Sequence, residues 1–387
     1  MKKAFRIFPV FSLIFFFFST SSLYADSVVL RSVPPAASPQ KRIELAFVLD
    51  TTGSMTGLID GAKKKIWSIA NRVIDSHPDA DIRMGLVGYR DLGDEYVTRK
   101  FPLTTDVQTL YAHLLAFEAE GGGDAPESVN EALDVAVTQL GWSPPKTPGV
   151  SRILFLVGDA PPHMDYNQDR KYPEVIGDAV QRGITVNTVQ AGTAAQTQKV
   201  WQEMARLGAG QYLSIPQDGG RTTIIETPYD TEIRILQKDL NLTIIPYGTS
   251  VRQESVKAKA KMYEAVAPST AADMSSYVSK TGRGRSAVTG SGDLVADVEK
   301  GKTTLSQVAK TDLPENLQKM SESERAAYLE TQKAKRAEVS KALAEKISQR
   351  DAYIQEKMAE MPTDKDLQDS FDRSVSKTLL KQIPSEK

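Results

Sequence analysis

Apolar runs of strand length alternate with amphipathic stretches between about residues 41 and 225. The run RIELAFVLD is followed by a segment in which Leu58, Ile66 and Val73 recur with the helical period. Further strands are predicted at DIRMGLVGYRD, EYVTRKFPLT, SRILFLVGDAPP, ITVNTVQAG and QYLSI. Further helices are predicted at residues 107–118, 125–140, 174–183 and 197–210. This alternation predicts an α/β fold, with a doubly wound, mainly parallel sheet flanked by helices.

The chain changes character after residue 225. Residues 226–300 combine helical stretches with the Gly- and Ser-rich segment VSKTGRGRSAVTGSGD, which predicts a connecting region. Residues 301–387 are charged and predict a mostly α-helical C-terminal region. Five apolar residues of this region share one helical face: Val339, Leu343, Ile347, Ile354 and Met358. That face either packs back on its own domain or pairs with another helix as a coiled coil.

The N-terminus has the layout of a secretory signal peptide. Basic residues within the first six positions precede the apolar run FPVFSLIFFFF, and the small residue Ala25 follows. We therefore expect residues 1–25 to be a signal peptide and residues 26–40 a linker. The apolar run is short for a membrane span, so none is expected after cleavage. An uncleaved N-terminal anchor is the alternative.

Composition narrows the class of protein and its location. The chain is 40% hydrophobic and 25% charged, as in soluble globular proteins, and contains no cysteine. A formal net charge of -1 argues against a general nucleic-acid binder. An exported chain that uses no disulfides is expected to be a bacterial periplasmic or secreted protein.

Oxygen-bearing side chains lie in or at the start of three of the predicted loops. Asp50, Thr52 and Ser54 lie in the first loop, Asp124 follows EGGG in the second, and Asp159 ends the strand ILFLVGD. The carboxyl ends of strands in a doubly wound sheet converge beside the point where the strand order reverses. Carboxylates and hydroxyls without soft ligands favour a hard divalent cation. We expect Mg²⁺ first, with Mn²⁺ or Ca²⁺ as alternatives.

Purely structural roles are open to several of these residues. Ser54 is a suitable N-cap for the following helix, and Thr52 is an ordinary turn residue. Asp124 with Glu127 three residues later fits a capping box. The nearby His163 is expected to be a loop residue near the rim of the site.

These motifs resemble the von Willebrand factor A (vWA) domain family and its metal-ion-dependent adhesion site. DTTGS supplies Asp50, Thr52 and Ser54 in the spacing of the first motif of that family, Asp-x-Ser/Thr-x-Ser, and Asp159 matches its Asp in the later loop. The resemblance implies a Rossmann-like vWA domain over residues 41–225. It also implies that the two hydroxyls bind the metal directly and that Asp50 acts directly or through water.

The second loop departs from the commoner pattern of the family. That pattern has a Thr where this chain has Asp124, as in a subset that includes hemicentin-like proteins. The neutral Thr of the commoner pattern leaves the metal electron-poor, so that it takes up a carboxylate from the partner. A third carboxylate is expected either to weaken that attraction or to hold the ion more tightly.

Three functions are compatible with the sequence. The favoured function is a metal-dependent protein-binding module of the bacterial cell envelope, whose partner completes the metal coordination through an acidic side chain. A metal-assisted hydrolase is less well supported, because HExxH, GxSxG and P-loop motifs are absent and Arg90 is the nearest basic residue to the loops. The third function places the active part in the C-terminal helical region.

Overall fold

The structure, a computed structural model, describes residues 41–123, 126–220, 224–281, 286–360 and 370–383. This part of the chain contains a six-stranded sheet with the order β3-β2-β1-β4-β5-β6. The strands are β1 (Arg42–Asp50), β2 (Asp81–Tyr89), β3 (Thr98–Thr104), β4 (Val150–Gly158), β5 (Ile184–Ala191) and β6 (Ala209–Ile215). Neighbouring strands are parallel except β2 and β3, which are antiparallel. The predicted mainly parallel sheet is confirmed.

Helices connect the strands and make up most of the C-terminal part. They are α1 (Thr56–Ser76), α2 (Val107–Leu115), α3 (Val129–Gln139), α4 (Tyr172–Gln181), α5 (Ala195–Leu207), α6 (Asp230–Asn241), α7 (Ser250–Ala265), α8 (Pro268–Thr281), α9 (Leu294–Glu299), α10 (Glu315–Gln318), α11 (Glu322–Glu360) and α12 (Phe371–Gln382). Three helices are shorter than predicted: α2 ends at Leu115, α3 begins at Val129, and α5 ends at Leu207 because β6 begins at Ala209. The segment predicted as a loop from residue 278 starts within α8, which continues to Thr281.

The two faces of the sheet carry separate hydrophobic cores. Leu45, Phe47 and Leu49 of β1 belong to one core, together with residues of α1, α2, α8 and α12. Ala46 and Val48 belong to the other, with residues of α3, α4 and α5. Successive side chains of a strand point to opposite faces, so the continuous apolar run of β1 fills both cores.

The C-terminal helices contribute directly to this packing. Phe371 and Val375 of α12 are buried in the same core as Phe47, and the Phe371 and Phe47 ring centroids are 6.4 Å apart. Leu343 and Ile347 of α11 are buried in a further cluster with residues of α6 and α8. The apolar face of α11 therefore packs back on its own domain.

Two buried arginines of α11 hold this helix in position. Arg350 donates from Nε to Asp230 Oδ1 at 2.7 Å, and its Nη1 lies 2.8 Å from Asp273 Oδ1. Arg336 donates from Nη1 to Asp293 Oδ2 at 2.6 Å. Burying a charge is unfavourable unless it is paired, so these contacts favour one position of α11 on the rest of the chain.

Several sequence predictions concern residues outside the described part of the chain. They are the signal peptide, the linker and Asp124. The described residues belong to one compact unit, so the limits proposed for separate segments of the chain remain predictions. Among the described helices, none has the length and apolarity needed to cross a membrane.

Candidate metal site

The candidate site lies at the carboxyl ends of β1 and β4, in the middle of the sheet. From these two strands the chain order runs outward in opposite directions, which is the position where doubly wound sheets bind ligands. Asp50 is the last residue of β1, and Asp159 directly follows β4. Leu49 pairs with Val157, so Asp50 is level with Gly158 on the neighbouring strand.

The first loop brings three of the predicted residues together. Asp50 is fully buried, and its Oδ1 accepts hydrogen bonds from the Thr52 backbone N–H at 2.9 Å and the Thr52 hydroxyl at 2.6 Å. The hydroxyl oxygens of Thr52 and Ser54 are 3.2 Å apart. A short 3₁₀ turn contains Ser54, and α1 begins only at Thr56 with Met55 as its N-cap. The alternative role of Ser54 as the N-cap of this helix is therefore wrong.

Backbone contacts hold this loop against the second one. The Gly53 N–H donates to the Gly121 carbonyl at 3.2 Å, and the Glu120 N–H donates to the Thr51 carbonyl at 3.1 Å. Gly121 has a φ of +79°, in the left-handed region that glycine adopts without strain. The glycines of the sequence EGGG thus allow the second loop to approach DTTGS closely.

Asp159 lies beside Asp50 and contacts a residue that sequence reasoning missed. Asp159 is close enough to Asp50 for its charge to raise the pKa of that carboxyl group, in addition to the larger effect of burial. Its own carboxylate Oδ2 accepts a hydrogen bond from Gln217 Nε2 at 2.6 Å. Gln217 follows β6 and also reaches the Ser54 carbonyl at 3.4 Å. No feature of the sequence singled out Gln217.

Glu127 is a second residue that the sequence analysis did not assign to the site. It is 4% exposed, and its Oε2 has no hydrogen-bond partner among the described residues. A Cβ atom at Gly122 would be 3.1 Å from Thr52 Cβ and 3.3 Å from Glu127 Oε1, which places Glu127 close to the first loop. Helix α3 begins at Val129, after Glu127, so the capping-box role does not apply to Glu127.

Burial raises the pKa of two carboxyl groups at the site, and neighbouring carboxylates add to the effect. Burial raises the pKa of Asp50 to about 7, and the nearby charge of Asp159 adds to this effect. Burial also raises the pKa of Glu127 to about 9, with contributions from Asp50, Asp91 and other carboxylates. Burial, reinforced by the neighbouring carboxylates, therefore opposes ionisation of both groups when no cation is bound.

An oxygen-binding cation fits this arrangement. Oδ2 of Asp50 is buried and has no hydrogen-bond partner among the described residues, a state that usually requires a compensating group. The described residues, which exclude Asp124, contain no group of three acidic or histidine side chains that could hold a metal. A cation here would therefore depend on the hydroxyls of Thr52 and Ser54 as well as on carboxylates.

His163 and Arg90 were also considered from the sequence. Their side chains have partners other than the predicted metal ligands. His163 is buried rather than at an exposed rim, with its Nδ1 2.8 Å from Asp165 Oδ1 and its ring stacked on Tyr166. Arg90 is also buried and donates to the Glu118 carbonyl at 2.8 Å. Its guanidinium therefore supports the loop after α2.

Comparison with known proteins supports a vWA domain. Residues 44–227 match a family described as von Willebrand factor A domain. A stretch of 136 residues is 34% identical to von Willebrand factor A domain-containing protein 7 of Rattus norvegicus and covers 34% of this chain and 13% of that protein. A stretch of 123 residues is 28% identical to alpha-protein kinase vwkA of Dictyostelium discoideum and covers 31% of this chain and 19% of the kinase.

Two similar solved structures each match 46% of this chain. The SpRpn10 VWA domain is 12% identical with a TM-score of 0.35, over 46% of this chain and 89% of that one. Proximal thread matrix protein 1 from the mussel byssus is 14% identical with a TM-score of 0.33, over 46% of this chain and 43% of that one. The chain spans less than one fifth of the length of the two curated relatives above.

Proposed function

Starting from a vWA domain over residues 44–227, we propose that this protein is a metal-dependent protein-binding module of the bacterial cell envelope. The vWA domain itself indicates a protein-interaction or adhesion role. The dependence on a metal, the envelope location and the nature of the partner are our proposals. The envelope location rests on the signal-peptide pattern of residues 1–25.

The metal would be held by oxygen atoms from three loops. Thr52 and Ser54 supply neutral hydroxyls, and Asp50, Asp124 and Asp159 supply negative charge. The observation that carries this proposal is the fully buried Asp50 carboxylate, whose Oδ2 has no hydrogen-bond partner among the described residues. Mg²⁺ is favoured over Mn²⁺ or Ca²⁺, and it commonly retains waters or takes a ligand from a partner.

The exposed Ser54 marks the side from which a partner reaches the ion. Ser54 is exposed while Asp50 and Thr52 are buried, so the site is open on the Ser54 side. An acidic side chain of the partner would complete the coordination there. Gln217 lies on the same side, where its amide bridges the Asp159 carboxylate and the Ser54 carbonyl. The partner's carboxylate and this amide would therefore compete for the same space.

Binding is better supported than catalysis by the groups around the site. The two residues best suited to proton or phosphate chemistry, His163 and Arg90, are occupied by Asp165 and the Glu118 carbonyl. The kinase activity in the name of one relative belongs to a protein of which the matched stretch covers 19%. A turnover assay with phosphoester substrates and Mg²⁺ tests the enzyme alternative.

Calorimetry tests the metal. Titration of the protein with Mg²⁺, Mn²⁺ and Ca²⁺ is expected to show saturable binding that is lost in Asp50→Ala. Asp60→Ala, which removes an exposed carboxylate of α1, is the matched control and is expected to bind as the wild type does. Equal metal binding by wild type and Asp50→Ala would remove the central claim.

A pull-down from a periplasmic extract tests the partner. The wild type is expected to retain a partner in the presence of Mg²⁺ and to lose it with EDTA, whereas Asp50→Ala is expected to retain none under either condition. A set of partners that is unchanged by both EDTA and Asp50→Ala would place binding elsewhere on the molecule, for example on the C-terminal helices.

A further inference from the structure

A cleft of about 280 Å³ lies between α1, α8, α11 and the start of α12. Its lining includes Arg72 of α1, Thr270 of α8, Met358 of α11 and Arg373 of α12. No described lining residue belongs to the candidate metal site. The cleft is therefore a separate feature of the molecule, formed where the C-terminal helices pack on the sheet domain.

Positive charge is in excess around this cleft. Among the described residues, six basic and four acidic side chains line it. Two of the basic residues are already paired: Lys280 lies 2.7 Å from Asp75 and 2.9 Å from Asp351. Arg350 pairs with Asp273 and with Asp230, which lies behind the wall of the cleft. Positive charge remains in excess when Asp230 is included.

Besides the exposed Lys64, the unbalanced charge of the lining lies on Arg72 and Arg373. Both are half-buried, and neither forms an ion pair with another described residue. Lys65 is nearby, and its Nζ is 3.8 Å from Asp372 Oδ2. Burial lowers the pKa of Arg72 and of Lys65, with Asp372 acting in the opposite direction. An anion between these side chains would relieve the repulsion between like charges.

The cleft also offers uncharged donors and an apolar wall. The donors are Ser269 and Thr270, in the first turn of the 14-residue helix α8. Ser370, which precedes the 12-residue helix α12, also lines the cleft, but its hydroxyl donates to Asp372 Oδ1 at 3.0 Å. Hydroxyls and the N-terminal ends of helices stabilise oxyanions, and here they accompany the arginines. Ile354 and Met358 line it too, on α11.

We propose that this cleft binds a small molecule that carries a phosphate group. Arg72 and Arg373 contact the phosphate oxygens, because guanidinium groups match oxyanions through paired hydrogen bonds. The apolar part of the molecule lies against Ile354 and Met358. The phosphate can be carried by a soluble phosphomonoester or by a lipid headgroup, and the two carriers are separated by experiment. This proposal is independent of the metal-dependent function.

The test uses the full chain with the substitution Asp50→Ala and EDTA, so that phosphate cannot bind through a metal at the other site. Inorganic phosphate is titrated by calorimetry, and vesicles of phosphatidylcholine with and without phosphatidylglycerol are used in a flotation assay. The double variant Arg72→Gln, Arg373→Gln is compared with Lys261→Gln, which removes an exposed charge of α7 outside the cleft.

We expect saturable binding that is at least about tenfold weaker in the double variant and unchanged in Lys261→Gln, since charge-assisted hydrogen bonds to an oxyanion are stronger than neutral ones. Binding of free phosphate identifies a soluble carrier, and binding only of phosphatidylglycerol vesicles identifies a lipid. Arg72→Lys keeps the charge and is expected to lose less affinity than Arg72→Gln. Circular dichroism verifies folding, and the single variants replace the double variant if it does not fold. Absence of saturable binding to either probe, or equal binding by the folded Gln variants, overturns the proposal.

Discussion

Asp50 and Gly158 lie side by side at the ends of β1 and β4, with no room for a side chain between them. A Cβ atom at Gly158 would be 3.1 Å from Asp50 Oδ2 and 2.3 Å from the Tyr89 hydroxyl oxygen. All three residues are buried in the centre of the sheet. Glycine at this position therefore leaves room for both the Asp50 carboxylate and the Tyr89 hydroxyl.

Gly158→Ala is expected to destabilise the protein and weaken metal binding. The methyl group collides with Tyr89 and displaces Asp50, and overpacking of this kind costs about 1–3 kcal/mol. Gly177→Ala is the matched control, because a Cβ there meets nothing within 4 Å inside α4 and should stabilise the helix by about 0.5–1 kcal/mol. Urea unfolding and metal titration measure both effects. Wild-type stability and affinity in Gly158→Ala would show that the contact relaxes without consequence.

Glu127→Gln is expected to weaken metal binding while stabilising the metal-free protein. At neutral pH the folded, metal-free protein keeps Glu127 protonated, because its pKa is raised to about 9, and Gln removes the free-energy cost of that proton uptake. The Gln side chain cannot ionise when a cation binds, so less negative charge is available to hold the ion. Loss of a supporting group near a metal usually lowers affinity about 10- to 100-fold. Calorimetry and urea unfolding with EDTA measure the two changes, and the partly exposed Glu131→Gln serves as the control. A change of the same sign in both measurements contradicts this interpretation.

Stability of the metal-free protein is expected to fall as the pH rises from about 4 to about 9. The pKa of Asp50 rises from 3.8 to about 7, and that of Glu127 from 4.5 to about 9. An acid with a higher pKa in the folded state binds its proton more tightly there, so its stabilising effect is present at low pH and lost as the pH passes the folded pKa. Saturating Mg²⁺ should remove this fall, because the ion binds the ionised form.

Urea unfolding at several pH values, with EDTA and with Mg²⁺, tests this dependence. The variant Asp50→Asn, Glu127→Gln lacks both titrating groups, and we expect its stability with EDTA to decline less over the same range. A decline equal to that of the wild type would assign the pH dependence to other groups.

Asp124→Thr tests the effect of a third carboxylate. The substitution creates the commoner pattern of the family and removes one negative charge, so metal affinity is expected to fall and attraction for an acidic partner to rise. Calorimetry measures the first change, and binding of the partner found in the pull-down measures the second. Unchanged metal affinity would refute the charge argument.

Arg350→Met is expected to destabilise the protein by about 3–5 kcal/mol, because it leaves the buried Asp230 and the partly buried Asp273 without their partner. Arg182→Met removes an arginine that is 40% exposed and pairs with Asp178, and such surface pairs contribute about 0–1 kcal/mol. Urea unfolding compares the two variants. Similar small losses in both would mean that α11 is held by apolar contacts alone.

The alternation of apolar runs and helical periods was sufficient to predict the sheet and most of its helices. Strands such as β1 are buried on both faces and therefore appear as continuous apolar runs. The start of α3 was placed too early because Pro126 and Glu127 are typical of a first helical turn, whereas the Glu127 backbone instead forms a bridge to Pro162. Tertiary contacts of this kind leave no local signal.

The site was predicted in part. Asp50, Thr52, Ser54 and Asp159 were expected at one edge of the sheet and lie there, while their role as ligands remains a prediction. Glu127 and Gln217 were missed because their proximity to the site depends on the paths of two loops. The helix α12 was not resolved from the sequence as a separate element. Its signal was present, since Phe371, Val375 and Leu379 recur every four residues.

The contact between Phe47 and Phe371 also bears on how the protein folds. Phe47 belongs to the first strand of the sheet to be synthesised, and Phe371 to the last described helix. The ribosome must add more than three hundred residues before the partner of Phe47 exists. The part of this face that α12 covers therefore stays exposed until α12 has been synthesised, and a chaperone that binds exposed apolar surface would have its longest opportunity there.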